Sequence, residues 1–263
     1  MSAESSRPGL EPDASVPVVE KPVTAAPTLT PLGDRLVAAA EVTLCSGFPT
    51  QLGLGLLFTL VGAAPVTVAG QLSLANLVVL SLTDAALVLL LVWLLLRAHD
   101  ERPVAVLVGT RRLGEEVLLG LVMVPAALLL VTVTFGILMQ IAPWLHNVPE
   151  NPLEALIQSP AAAVWFSVVA VVAGGLREEV QRAFILRRFE QHLGGGVIGL
   201  VIFSAAFGLG HVVQGWDAVL ATSLLGGFWG IVYLKRRSIV APTVCHAVFN
   251  LTEILIAYRG NAG

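Results

Sequence analysis

Leu74–Leu96 reads LANLVVLSLTDAALVLLLVWLLL, an apolar run whose only charge is Asp84, and Arg97 closes it. About 20 mainly apolar residues cross the hydrocarbon core as a helix, so this stretch reads as a membrane span. Asp84 sits inside it, and either pairs with another helix or marks a transport pathway. Similar runs flank it. Leu36–Ala64 is broken near Ser46-Gly47-Phe48-Pro49, and its first half can lie along the interface with Asp34, Arg35 and Glu41 on a polar side. Val117–Ile141 follows. Leu153–Leu176 begins a helix expected to continue to about His192, and Gly194-Gly195-Gly196 then makes a turn. Val197–Val213, Ala218–Leu234 and Ile239–Ala257 bring the expected count to seven.

Composition agrees. The chain is 56% apolar and 13% charged, where soluble domains carry roughly a quarter charged residues. The fold class is an all-α polytopic membrane protein, with the lipid bilayer as its first partner. A net charge of −3 and the absence of a basic stripe argue against nucleic acid. Cys45 and Cys245 form no metal-ligand or disulfide pattern. Residues 1–33, with recurrent prolines and no apolar run, read as a disordered, uncleaved tail. Residues 34–150 then form N-terminal transmembrane helices, and 151–263 a helical core that holds the chemistry.

Basic residues alternate by loop. Arg97, Arg102, Arg111 and Arg112 crowd one loop, Arg187 and Arg188 precede the glycine turn, and Lys235, Arg236 and Arg237 occupy another. Pro143–Pro152 and Gln214–Asp217 contain neither lysine nor arginine but include Trp144 and Trp216. The positive-inside rule then expects the N-terminus in the cytoplasm and the C-terminus outside, and the expected location is a bacterial plasma membrane.

Charged residues inside spans are costly and mark function by default. Glu178-Glu179 is such a pair, with Arg182 close behind. Glu178 lies nine positions before Arg187, and His246 nine positions after Arg237, which puts each roughly 13 Å from the same boundary at 1.5 Å per residue. Across the glycine turn, Glu178 and Glu179 precede Gly195 by 17 and 16 positions and His211 follows it by 16. Three helices therefore deliver acids and imidazoles to one layer. His246 and Asn250 share a face at i and i+4, as do Phe207 and His211. Glu178 and Arg182 have the same spacing, so the arginine is expected to orient that carboxylate. The two glutamates point about 100° apart, one towards a reaction centre and the other towards a support network. Glu115-Glu116, at the start of a span, reads as favouring the positive helix end, and Cys245 as a buried inert thiol.

Glu178-Glu179-Val180-Gln181-Arg182, Phe207-Gly208-Leu209-Gly210-His211 and His246-Ala247-Val248-Phe249-Asn250 resemble the three motif parts of the CPBP intramembrane proteases. That family includes the type II CAAX prenyl proteases and Abi-like bacteriocin-processing relatives. Ile239-Val240-Ala241-Pro242 is also similar, and the likeness spans roughly Ala161–Leu255. The family spaces its acids as Glu-Glu-x-x-x-Arg; here one residue fewer intervenes. Alignment on the arginine puts Arg177 at the first glutamate position, whereas alignment on the acids displaces the arginine by one.

The resemblance implies an intramembrane endopeptidase acting on a peptide or membrane-protein substrate. Glu178, Glu179, His211, His246 and Asn250 would be its catalytic residues and Arg182 an orienting one. A glutamate, Glu178 in the first instance, would activate a water held by His211. His246 and Asn250 would donate to the oxyanion. Two cofactor readings stand: none, or a zinc ion on Glu178, His211 and His246 with water in the open position. The zinc reading lacks an HExxH helix. The alternatives to a protease are an inactive membrane scaffold or immunity protein of the same fold, and a transporter using Asp84, Glu178 and Glu179.

Overall fold

The computed structural model describes residues 31–63 and 73–261. The proline-rich tail through Thr30, and Ala64, lie outside these residues; Leu32 and Gly33 already belong to the first helix. Among the described residues there are helices and no strand. In order they are α1 (Leu32–Cys45), α2 (Phe48–Leu60), α3 (Leu74–Ala98), the short α4 (Pro103–Leu107), α5 (Leu113–Ile141), α6 (Pro160–Val169), α7 (Glu178–His192), α8 (Gly196–Leu209), α9 (Trp216–Arg236) and α10 (Val240–Asn261). The segment Ala170–Arg177 joins α6 to α7 as a π-helix, so Pro160–His192 is one continuous rod.

Five of these rods are long and apolar enough to cross a membrane, and α1 with α2 makes a sixth if that pair, bent by 45°, is one span. The protein is an integral membrane protein. A count of seven would need α8, whose 14 residues fall short of the about 20 that a span requires.

Three local expectations are revised. The fourth rod starts at Pro160, capped by the Ser159 side chain, and not at Leu153, because Asn151 and Pro152 hold the preceding stretch in short turns. α8 ends at Leu209, so His211 lies in the turn beyond it. Glu41 is buried and not on a polar outer face: it accepts from Arg188 Nε at 2.6 Å and meets His99 Nε2 at 2.6 Å.

The loops segregate to two ends. At one end Arg187 and Arg188 both pair with Glu101, Arg111 Nε donates to the Arg236 carbonyl, Arg237 pairs with Glu190, and Ile239 N donates to Leu107 O. The three arginine-rich loops therefore meet. At the other end His146 pairs with Asp217 at 2.6 Å and Trp216 N donates to Asn147 Oδ1. Between the ends, α8 packs on α9, and α10 packs on both α5 and the π-segment. The α7 residues Val180, Ala183, Phe184 and Leu186 form the buried centre with Val88, Val92 and Leu96 of α3.

Glu115 and Glu116 part company. Glu115 pairs with Arg112 at the surface, while Glu116 is wholly buried and receives Arg236 from α9. Its role is to lock two helices together, beyond any interaction with the helix end.

At the arginine-rich end, burial pushes the Glu101 carboxyl up, but hydrogen bonds from Arg188 and Arg187 outweigh it and hold it below the usual carboxylate range. A depressed folded-state value gives stability that is present above the unfolded value and lost as pH falls through the folded one. Thermal unfolding in detergent should therefore show a midpoint that drops below the ordinary carboxylate range, with a shallower acid limb in Glu101→Gln.

Candidate functional site

Arg182 organises the site. It is wholly buried and pairs with Glu179, three residues back on α7. Its guanidinium carbon lies 4.8 Å from the Phe207 ring centroid and 5.7 Å from those of Phe203 and Trp229. A guanidinium keeps its charge, so in a dry interior it needs an anion, and aromatic faces supply further attraction. The expected pairing of Arg182 with Glu178 is thus corrected. The carboxylate that it holds is Glu179, whose side chain turns into the packed interior.

Glu179 Oε1 also accepts from His246 Nδ1 at 2.9 Å. A carboxylate accepts, so Nδ1 carries the proton and Nε2 of a neutral His246 is a free acceptor. That Nε2 lies 3.7 Å from Glu178 Oε2, beyond a good hydrogen bond yet close enough for one water to reach both. Trp229 stacks on His246, with ring centroids 3.7 Å apart and planes 17° from parallel, and its Nε1 donates to Cys245 Sγ at 3.3 Å. The imidazole is fixed in position and in tautomer.

Glu178 differs from its neighbour. It lines a cavity of about 1270 Å³ together with His211, His246, Asn250, Trp229 and Gln181, whereas Glu179 and Arg182 lie behind the wall. His211 Nδ1 donates to Phe207 O at 3.0 Å, leaving Nε2 for the cavity. The Phe207 ring lies 5.2 Å from His211 and 6.2 Å from His246, edge-on to both. Asn250 Nδ2 donates to the Ala170 carbonyl at 3.4 Å and has a second N–H to offer. The residues read from the sequence thus collect around one cavity: Glu179 joins Arg182 to His246, Glu178 lies 3.7 Å from His246, and His211 and Asn250 stand on the cavity walls.

The π-segment explains the aim of the acids. Each residue added to a turn rotates the remainder of the helix by about 100°, so Glu178 and Glu179 are out of phase with the apolar face of α6. Such bulges recur at functional sites. Close approach matters here too. A Cβ on Gly174 would lie 2.6 Å from Asn250 Nδ2, so a side chain there would displace that amide.

Arg177 ends the π-segment and was not singled out from the sequence as part of this network. It is buried, donates from Nη2 to Asp84 Oδ2 at 2.6 Å and from Nη1 to Gln181 Oε1 at 3.0 Å. Thr50 of α2 donates to the other Asp84 oxygen at 2.6 Å. Gly47, at φ +85°, passes so close to Arg177 that any Cβ would clash with Nη2. Asp84 therefore pairs with another helix. Arg177 turns to Asp84 of α3 and to Gln181, and Glu178 is the member of the acid pair that stands at the cavity surface. The other missed residue, Trp229, left a signal: tryptophan favours membrane interfaces, and this one stands well inside a span.

Nδ1 of His211 and Nδ1 of His246 are held by the Phe207 carbonyl and by Glu179, which leaves each Nε2 open as a ligand; among the described residues, however, no three His, Cys, Asp or Glu side chains come together to hold an ion.

Residues 160–252 match the family model described as type II CAAX prenyl endopeptidase Rce1-like. This segment is similar to the type II CAAX prenyl endopeptidases. It contains every site residue named above, from Glu178 to Asn250, and leaves α1 to α5 outside the match. No curated protein and no solved structure matches the chain. Within the matched segment the arginine of the acid motif reaches the second glutamate at i+3. The shortened spacing is thus compatible with a closed ion pair.

Removing one member of a buried ion pair strands the other charge, at about 3–5 kcal/mol. Asp84→Leu should destabilise the protein by that order in detergent unfolding, and Asp84→Leu with Arg177→Leu should recover most of the loss.

Proposed function

We propose that this protein is an intramembrane endopeptidase in which Glu178 activates a water for attack on a peptide carbonyl. The observation that carries the reading is the split of the acid pair: Glu179 is consumed by Arg182 and His246, and Glu178 is left at the cavity wall beside His246 Nε2. A water in reach of Glu178 Oε2 and the cavity-facing imidazoles loses its proton to the carboxylate as its oxygen attacks. The carbonyl oxygen gains negative charge, which the remaining N–H of Asn250 stabilises. His246, whose Nδ1–H is donated to Glu179, serves instead through Nε2, which accepts from the attacking water and orients it. Glu178 then returns the proton to the departing amine nitrogen as the C–N bond breaks, leaving a carboxylic acid and an amine.

Preorganised donors of this kind act strongly in a water-poor site. Glu179 and Arg182 enter no bond to substrate; they are positioning residues that hold His246. A zinc version would use Nε2 of His211 and of His246 with Glu178, groups that do not come together as a metal cluster among the described residues, and no step is assigned to a metal. The inactive-scaffold alternative gives no role to a carboxylate held at a cavity wall 3.7 Å from His246 Nε2.

The test is cleavage of a membrane-tethered reporter by purified protein in lipid. Glu178→Gln should lower the rate about 10²–10⁴-fold, the usual contribution of a general base. Asn250→Ala should cost about 10²–10³-fold, as loss of an oxyanion donor does. Equal rates for wild type and Glu178→Gln would end the proposal. A strong chelator should leave the wild-type rate unchanged, and loss of activity restored by zinc would overturn the metal-free mechanism.

A further inference from the structure

The cavity reaches the surface at one end of the molecule. Its lining stops at Asp84 in α3, well before Arg97, at Gln181 in α7, before Arg187-Arg188, and at Trp229 in α9, before Lys235. In α10 it begins only at His246, although the helix starts three residues after Arg237. No described residue of the three arginine-rich loops lines it. At the far end Glu150, Glu154, Gln158 and Val213 line it and are exposed. They belong to the loops 142–159 and 210–215, which contain no lysine or arginine. Short loops rich in lysine and arginine stay on the cytoplasmic side, so the mouth faces outward.

The lining also carries an excess of acids. Asp84 is matched by Arg177 and Asp217 meets His146, which leaves Glu150, Glu154, Glu178 and Glu253 as further acids on the lining. Both terminal nitrogens of Arg177 are taken, by Gln181 and Asp84. A free C-terminal carboxylate would find one guanidinium on the described lining, that of Arg177, on which only Nε is without a partner, and would meet the remaining acids along its path. A segment carrying lysine or arginine would be drawn in, because clefts lined by one sign of charge concentrate the opposite sign.

Resting on the protease reading, we propose that the substrate enters from the outer face of the membrane, as an internal segment bearing lysine or arginine and not as a free C-terminus. Access and selectivity are tested separately. Cys45 and Cys245 are buried, so Gln158→Cys at the mouth and Arg112→Cys at the opposite end report on introduced thiols, with Glu150→Cys as a second mouth position. In intact spheroplasts expressing the full chain, a membrane-impermeant maleimide should label the mouth variants directly and Arg112→Cys only after permeabilisation. The reverse pattern overturns the proposal.

Selectivity is read with tethered reporters whose cleavable segment lies on the outer or inner side and is flanked by lysine or by glutamate. The outer, lysine-flanked reporter should be cleaved at least about tenfold faster than its glutamate twin, with the gap narrowing in high salt. Faster cleavage of an inner or glutamate-flanked reporter overturns it. Labelling does not depend on hydrolysis. Outward labelling with no reporter cleaved would therefore support the access route and count against the protease reading alone.

Discussion

A guanidinium that cannot lose its charge lies fully buried at Arg182, and the rest of the site depends on its neutralisation. An ionised group in the membrane interior is expensive unless it is paired. Glu179 is the anion within reach on the same helix, and three aromatic rings wrap the remaining faces of the cation. That demand draws Glu179 inward. Glu178, about 100° further round the helix, is thereby turned towards the cavity. The two glutamates divide their labour because one arginine requires only one of them.

The same rule recurs through the bundle. Arg177 meets Asp84 across to α3, Arg188 meets Glu41 from α1, and Arg236 meets Glu116 from α5. Lipid-facing helices gain little from apolar contact with one another, so polar links between them carry much of the choice of partner. Buried ion pairs of this kind add little net stability, and their best-attested use is to fix register. Here they fix which helices surround α7 and at what depth. His246 takes its place in that scheme: Glu179 sets its tautomer and Trp229 its plane.

Much of this was legible before any coordinates. Spans show as apolar runs, and the alternation of basic and non-basic loops anticipated the two ends at which the loops meet. Counting residues from each boundary placed Glu178, His211 and His246 in one layer, and they do share one cavity. The direction in which each side chain points was not legible. A reading at constant α-helical pitch cannot register a π-segment, so the phase of Glu178 and Glu179 was lost eight residues earlier, at Ala170. The pairing of Arg182 with Glu178 failed for a separate reason: within the regular turns of α7 both the i+3 and the i+4 neighbour are in reach, and Glu179 at i+3 is the one that Arg182 meets. Asp84 stood open between two roles, because its partner lies far away in the chain.

The sequence by itself determined what must be compensated: which residues lie in apolar surroundings, at what depth, and with what charge. These come from composition and helical rise, which are local properties. Only the tertiary structure decided who compensates whom. Asp84 goes to Arg177, Glu179 to Arg182 and His246, and Glu178 is left to the cavity. Pairing is a contest among all charges within a few ångströms, and its outcome depends on helix phase and helix neighbours, neither of which a linear string contains.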